Sequence, residues 1–376
     1  MRIGLDGLPL TQLKTGVGTY TFELARALAA QAPHDEFELI SPRPFDHAAP
    51  SDGTPENLAL VYSKPNLFAR RWWSLGLPSY LRRTSTTLFH GTNFEVPLRG
   101  NCPSVITIHD LSLLLHSSTH EARAVLRARL RLPRMARKAR LVITDSEQVR
   151  REVCEQLGIE PGKVIAIPLA PQASFAPAPE DVAAEVRSRL GVEDEFVLYA
   201  GTIEPRKNLV TLLKAFEEVL RTTELRPQLV IAGKLGWKQS DLLRDLEKSG
   251  VRDRIKLVGY VTDADLRGLY SSCHAFVYPS IYEGFGLPPL EAMACGAPVI
   301  ASAVPSVKNS VARVISATDV QSLARNIVEL VGDAQARESL SAAGRAHAAK
   351  FSWAQTAMLT REVYQEALTR SALRTG

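Results

Sequence analysis

Pro279-Ser280-Ile281-Tyr282-Glu283-Gly284-Phe285-Gly286-Leu287-Pro288-Pro289-Leu290-Glu291-Ala292-Met293-Ala294-Cys295-Gly296-Ala297-Pro298-Val299-Ile300-Ala301-Ser302 is the stretch from which the rest of the chain can be read. The apolar run before it, Ala275-Phe276-Val277-Tyr278, reads as a buried parallel strand. Gly284 and Gly286 leave the backbone free to turn and to approach a ligand closely. Pro288 and Pro289 suit a helix opening, because the first helical N–H groups have no intrahelical partner. The pattern predicts a helix over 290–295, a stop at Gly296 and a new strand from Pro298. Two carboxylates thus flank a glycine turn, Glu283 before it and Glu291 about one helical turn in. The N–H groups and positive partial charge of a helix N-terminus favour anions such as phosphate. A carboxylate in that place accepts hydrogen bonds from hydroxyls, which sugars and riboses carry. A lone Gly-Phe-Gly would fit a mere strand–turn–helix corner equally well.

Upstream, the same half opens in the same way. A strand, Phe196-Val197-Leu198-Tyr199-Ala200, leads into Gly201-Thr202-Ile203-Glu204-Pro205-Arg206-Lys207-Asn208 and then a helix from Leu209. Arg206 and Lys207 therefore stand at the carboxyl end of a strand, near a helix opening. Two cations beside helix N–H groups match a diphosphate of about two negative charges, and Arg can grip it bidentately. Plain surface charge is the alternative, and the position argues against it. Strands at 228–233 and 255–261, a short helix from Asp263, and helices at 320–331, 334–350 and 353–369 continue the alternation.

The first half repeats the theme. Strand Ile3–Asp6 runs into a loop ending Thr15-Gly16-Val17-Gly18-Thr19-Tyr20, with a helix expected from Tyr20 to Gln31. Open α/β sheets place ligands at such a loop, although Gly16 and Gly18 do not have dinucleotide-fingerprint spacing. The segment 66–83, with Arg70, Arg71, Trp72, Trp73, Tyr80, Arg82 and Arg83, fits packing with snorkelling arginines better than contact with nucleic acid or an acidic lipid surface. Strand Ser104–Ile108 delivers His109-Asp110 at its carboxyl end, where a His beside an Asp could orient a hydroxyl or tune proton transfer. Segment 121–140 holds eight basic residues and one acid. Arg123, Arg127, Arg131, Arg134 and Lys138 share one helical face, which suits either an anionic bilayer or simple solvation, and Pro133 predicts a kink. Four prolines between 168 and 179 mark a linker.

Composition sets the class. A chain of 376 residues, 45% hydrophobic and 23% charged, suggests two soluble domains. No apolar run reaches the ~18 residues of a membrane span. Asp6 interrupts any signal-like core at the start, so those residues read as a first strand. Scattered Cys102, Cys154, Cys273 and Cys295, without a CxxC pair, fit reduced thiols in the cytoplasm. The +5 net charge arises wholly in residues 1–175, where 21 basic face 16 acidic residues, against 24 and 24 in the remainder. A charge-balanced second half without a recognition motif disfavours a nucleic-acid binder.

Taken in order, Gly201 to Leu209, Gly259-Tyr260-Val261, Glu283-Gly284-Phe285-Gly286 with Glu291 beyond, and Phe351-Ser352-Trp353 resemble the retaining GT-B glycosyltransferases of family four, the group 1 glycosyl transferases. The resemblance covers nearly the whole chain. It implies an α/β fold of two Rossmann-like, doubly wound domains facing across a cleft. Residues 1–172 would bind the acceptor and 180–352 the nucleotide-sugar, with a final helix, 353–376, crossing back to the first domain. It assigns Arg206 and Lys207 to the donor diphosphate, Glu291 to the ribose, and Glu283 with the backbone of Gly284, Phe285, Gly286 and Leu287 to the transferred sugar. Tyr260 and Val261 would bracket the base, and Gly201 and Thr202 open the donor loop. Gly16 and Gly18 would lie beside donor phosphates and acceptor, and His109 near the reacting sugar. No cofactor is implied, since the nucleotide-sugar is a substrate. No metal is expected either, because Arg206, Lys207 and a helix dipole can stand in for one.

One departure is plain: the family usually continues after Ala301-Ser302 with Pro-Glu-Val and Gly-Asp-Ala, whereas here the chain reads Pro305-Ser306-Val307-Lys308-Asn309-Ser310-Val311-Ala312-Arg313. The expectation is a cytoplasmic transferase, peripheral on the inner membrane face, moving a hexose (mannose from GDP-mannose as the lean) to a lipid-linked glycan in surface polysaccharide synthesis. A GT-B nucleotide-sugar epimerase and a non-catalytic nucleotide-sugar scaffold are the alternatives.

Overall fold

A computed structural model describes residues 1–12, 15–45, 53–63, 71–234, 236 and 249–372. The chain divides into two compact units. The first comprises Met1–Leu115, Ala122–Leu169 and Ser352–Gly376; the second comprises His116–Glu121 and Ala170–Phe351.

The first unit is built on β1 (Arg2–Asp6), β2 (Glu36–Ser41), β3 (Leu58–Tyr62), β4 (Leu88–Gly91), β5 (Ser104–Ile108), β6 (Leu141–Thr144) and β7 (Val164–Ala166). They form one parallel sheet in the order β3-β2-β1-β4-β5-β6-β7. Strand order reverses between β1 and β4, which pair with Ile3 opposite Leu88 and Leu5 opposite His90. β4, β5 and β6 are buried along their whole length, which is why they read as apolar runs rather than alternations. Helix α1 (Gly16–Gln31) follows β1. It begins four residues earlier than expected because the Thr15 hydroxyl accepts from Gly18 N (3.2 Å), a side-chain cap that turns the glycine loop into a first helical turn. The last helix of the chain, Trp353–Ala372, belongs to this unit. Gln31 donates to Ala354 O, and the Tyr364 hydroxyl meets His90 Nδ1 at 2.7 Å.

Of the aromatic-basic segment, 66–70, with Arg70, lies outside the described residues. The rest packs: Trp72, Leu77, Tyr80 and Leu81 join Ile40 and Phe89 in one core. The basic helix spans Ala122–Lys138 and continues through Pro133. The carbonyl that Pro133 cannot bond is that of exposed Arg129, where water can replace the missing donor.

The second unit holds β8 (Phe196–Ala200), β9 (Gln228–Ala232), β10 (Ile255–Gly259), β11 (Ala275–Tyr278), β12 (Val299–Ser302) and β13 (Arg313–Ile315). These pair in parallel in the order β10-β9-β8-β11-β12-β13, reversing between β8 and β11. β10 stops at Gly259, before Tyr260 and Val261, because the backbone turns to φ +71° there. The helix after β11 is Leu287–Ala294, three residues earlier than its sequence signature, with Pro288 and Pro289 inside its first turn.

Candidate functional site

In the second unit the site lies at the carboxyl ends of β8 and β11, flanking the point of strand-order reversal, where open α/β sheets bind ligands. β8 ends at Ala200, and the chain passes Gly201 and Thr202, whose carbonyl accepts from the Tyr199 hydroxyl (3.2 Å), into a single helical turn, Pro205–Lys207. Asn208 follows with φ +57°. Its amide donates to Pro279 O (3.1 Å) and Ala317 O (2.5 Å), tying the loop after β8 to the loops after β11 and β13.

That tie brings Arg206 and Lys207 onto Glu283. Glu283 Oε1 accepts from Lys207 Nζ (2.6 Å), Ser280 Oγ (2.5 Å) and the Tyr278 hydroxyl (3.1 Å). Arg206 Nη1 donates to Tyr282 O (2.7 Å) and lies 3.1 Å from Glu283 Oε2, while Nη2 donates to Glu204 Oε1 (2.8 Å). Burial alone would raise the Glu283 carboxyl, but Lys207 and Arg206 hold it down to about 2. Burial pulls the Lys207 ammonium down and raises the Glu204 carboxyl, with the neighbouring opposite charges working against both effects. Two cations and two carboxylates thus form a closed, charge-balanced cluster. Glu283 is engaged by cations rather than held open toward a sugar, and any phosphate reaching Arg206 and Lys207 competes with Glu204 and Glu283. Sequence reading missed Glu204; its place two residues before Arg206 was the available signal.

Gly284 and Phe285 are buried and lead to Gly286, which adopts φ +97°. A Cβ there would sit 2.8 Å from Ser306 Oγ and 3.0 Å from Val304 Cγ2. Ser306 in turn donates from Oγ to Gly286 O (2.7 Å) and from N to Phe285 O (2.9 Å). The atypical segment after Ser302 is therefore the brace of the glycine turn, with His347 Nε2 donating to Ser306 O (2.9 Å) behind it. Gly286→Ala is expected to cost about 2 kcal/mol, from the left-handed backbone and the clash together, and to lower the melting temperature by roughly 5 °C in calorimetry. Glu291 is buried on the helix that follows. Tyr260 is 50% exposed, just beyond the end of β10.

In the first unit, Gly16 and Gly18 sit in the first turn of α1, with Gly18 against Pro9 O. His109 follows β5, buried, with the Tyr20 ring edge-on at 4.7 Å. Its partner is Asp145, at the end of β6, and not the adjacent Asp110. Nδ1 lies 2.8 Å from Asp145 Oδ2, and Nε2 donates to Thr92 O at 2.8 Å. Burial disfavours the imidazolium, but Asp145 opposes it and leaves His109 raised. Both ring nitrogens are thereby used inside the unit, whereas Asp110 accepts from Ser112 N.

On the basic helix, Val125, Leu132 and Met135 are buried, while Leu126 is 60% and Leu130 54% exposed. Arg131 turns onto Glu95 (3.2 Å), and Arg127 approaches the same carboxylate (3.8 Å). Arg123, Arg134 and Lys138 are exposed. Asp263-Ala264-Asp265 opens a helix, and Asp265 pairs with Arg189 (2.5 Å). Among the described residues no three His, Cys, Asp or Glu are grouped to hold a metal ion. None of the described helices is long and apolar enough to cross a membrane.

Two family models match the chain: one described as Glycosyltransferase Family 4 over residues 14–170, the other as Glycosyl transferases group 1 over residues 184–347. An O-antigen chain mannosyltransferase B of Escherichia coli is 32% identical, over 97% of this chain and all of the relative. Among solved structures, a sucrose-phosphate synthase from Thermosynechococcus elongatus superposes with a TM-score of 0.76 at 22% identity, covering 98% of this chain and 100% of that one. Anabaena HepE in complex with UDP and glucose gives 0.75 at 20% identity, over 97% and 99%. Those likenesses place both sheets in the GT-B fold.

Proposed function

Since the chain belongs to glycosyltransferase family 4 and is a GT-B glycosyltransferase, we propose that it moves a hexose with retention from a nucleotide-sugar to a lipid-linked glycan in cell-surface polysaccharide assembly. The observation that carries this reading is the Arg206–Lys207–Glu283–Glu204 cluster at the sheet's reversal point. Mannose from GDP-mannose is the proposed donor, supported by the name of the full-length Escherichia coli relative.

In this reading the diphosphate takes Arg206 and Lys207 from their carboxylates. Negative charge grows on the leaving diphosphate in an oxocarbenium-like transition state, so cations already fixed there lower the barrier without a divalent metal. Glu283 and the Gly284–Leu287 backbone hold the sugar, Glu291 the ribose, and Tyr260 with Val261 the base. Transfer proceeds on one face, the donor phosphate taking the acceptor proton, which accounts for a site without two opposed catalytic carboxylates.

Thermal shifts with UDP, GDP, ADP and their sugars test the reading, since a ligand at ~100 times its dissociation constant adds ~2.7 kcal/mol. GDP and GDP-mannose are expected to give the largest shifts, and transfer to octyl α-mannoside to yield an α-linkage with EDTA present. Silence across the panel would sink the reading, and conversion of the sugar without acceptor would favour an epimerase.

The basic helix supplies the membrane contact of this proposal. Arg123, Arg127 and Arg134 ring the exposed Leu126 and Leu130, and each cation near an anionic surface contributes about 1 kcal/mol. Replacing the three arginines with Gln is expected to weaken co-sedimentation with phosphatidylglycerol-containing vesicles roughly 100-fold.

A further inference from the structure

The first unit has its own reversal point, between β1 and β4. β1 ends on Asp6 and β4 on Gly91, followed by Thr92. Asp6 is only 2% exposed. Its Oδ1 accepts from Leu8 N (3.1 Å), and its other carboxyl oxygen has no hydrogen-bond partner among the described residues. Asp6 keeps a sliver of exposure and this oxygen is not sealed from the surface, so it is open to a donor from elsewhere. Burial and the nearby Glu95 push this carboxyl up to about 7.

The surroundings are organised to hold Asp6 where it stands. Thr92 Oγ1 donates to Asp6 O (3.0 Å), and Thr21 Oγ1 donates to Thr92 Oγ1 (3.0 Å), joining α1, β4 and β1. Phe94, at φ +61°, follows in the same loop and packs its ring 5.8 Å from His109. Glu95 pairs with Arg131 and Arg127 and Asp145 with His109, so among the described residues Asp6 and Asp110 are the carboxylates of this edge without a cation. A neutral polyol offers O–H donors without charge.

We propose that Asp6 marks the acceptor subsite and accepts a hydrogen bond from a hydroxyl of a neutral, non-reducing-end sugar through its unpartnered carboxyl oxygen. This rests on the transferase reading for its role and on the first unit alone for its chemistry. A ligand reaching Asp6 would displace no existing side-chain partner of that oxygen.

Asp6→Asn tests it well. The amide keeps an oxygen for Leu8 N and turns the free position from acceptor into donor. Saturation-transfer NMR with octyl α-mannoside, octyl β-glucoside and octyl β-galactoside, without nucleotide-sugar, reads the subsite independently of the donor. At least one glycoside should show transfer to its ring protons with the native protein and lose it with D6N. In turnover, D6N should raise the acceptor KM tenfold or more while the donor KM stays within twofold. Retained transfer in D6N, absence of transfer from all three glycosides, or an equal rise in both KM values would overturn the proposal; the last is what a merely structural Asp6 would give. Donor-induced thermal shifts of the native protein report separately on the transferase reading.

Discussion

Arg206→Ala is expected to lower the turnover number for sugar transfer by ~100–1000-fold, the usual loss when one fixed donor to a developing negative charge is removed. The guanidinium is held at three points, by Tyr282 O, Glu283 and Glu204, so its position is set before any donor arrives. In the proposed reaction the fork first changes partners from its carboxylates to the diphosphate, and charge already in place as the diphosphate leaves then lowers the barrier. Arg206→Lys is not expected to rescue more than part of this, because an ammonium cannot reproduce a fork shared among three acceptors. The measurement is single-turnover transfer with saturating nucleotide-sugar, run on protein shown by circular dichroism to be folded. Activity within tenfold of the native protein would remove Arg206 from the diphosphate site. Loss in the donor KM alone, with turnover intact, would leave it a binding group without a part in the transition state.

Glu283→Ala carries the largest expected effect on stability, a loss of about 3–5 kcal/mol, because it strands the buried Lys207 ammonium and takes one of two carboxylates from Arg206. Lys207 would keep only the Tyr278 hydroxyl, and Arg206 would keep Glu204 and Tyr282 O. The pH dependence gives the same interaction from the other side. Glu283 titrates at about 2 when folded, below its ordinary 4.5, so protons prefer the unfolded chain. Its contribution is therefore complete above about pH 4.5 and is lost as pH falls through about 2, amounting to about 3 kcal/mol. Urea midpoints at pH 7 and pH 3 should show a smaller acid loss in Glu283→Gln than in the native protein. Equal loss in both would mean the ion pairs contribute nothing net.

Most of the fold is legible in the string from Glu283 to Glu291 and its counterpart from Gly201 to Leu209. Each couples a buried apolar strand to a glycine turn and a helix opening, and those are local requirements of the backbone. Element boundaries are less legible. Nothing in the glycine spacing says that Thr15 caps Gly18 and draws the helix back to Gly16, because a cap depends on one hydroxyl rotamer. The basic helix shows its charge in the sequence but not its faces: Leu126 and Leu130 look like core there, yet Val125, Leu132 and Met135 take that place.

The sequence by itself determined the family and the two doubly wound units and singled out Arg206, Lys207 and Glu283, though not Glu204, since these follow from strand–turn–helix periodicity and short-range motif order. Which groups neutralise one another was decided only in three dimensions. Glu283 stands 76 positions from Lys207, and His109 stands 36 from Asp145, yet each pair closes to within hydrogen-bond distance. Parallel sheets bring the carboxyl ends of distant strands side by side, so a site at that edge is a property of strand order. In the folded chain the loop carrying Glu283 is one half of a charge-balanced lock whose other half is Glu204, Arg206 and Lys207.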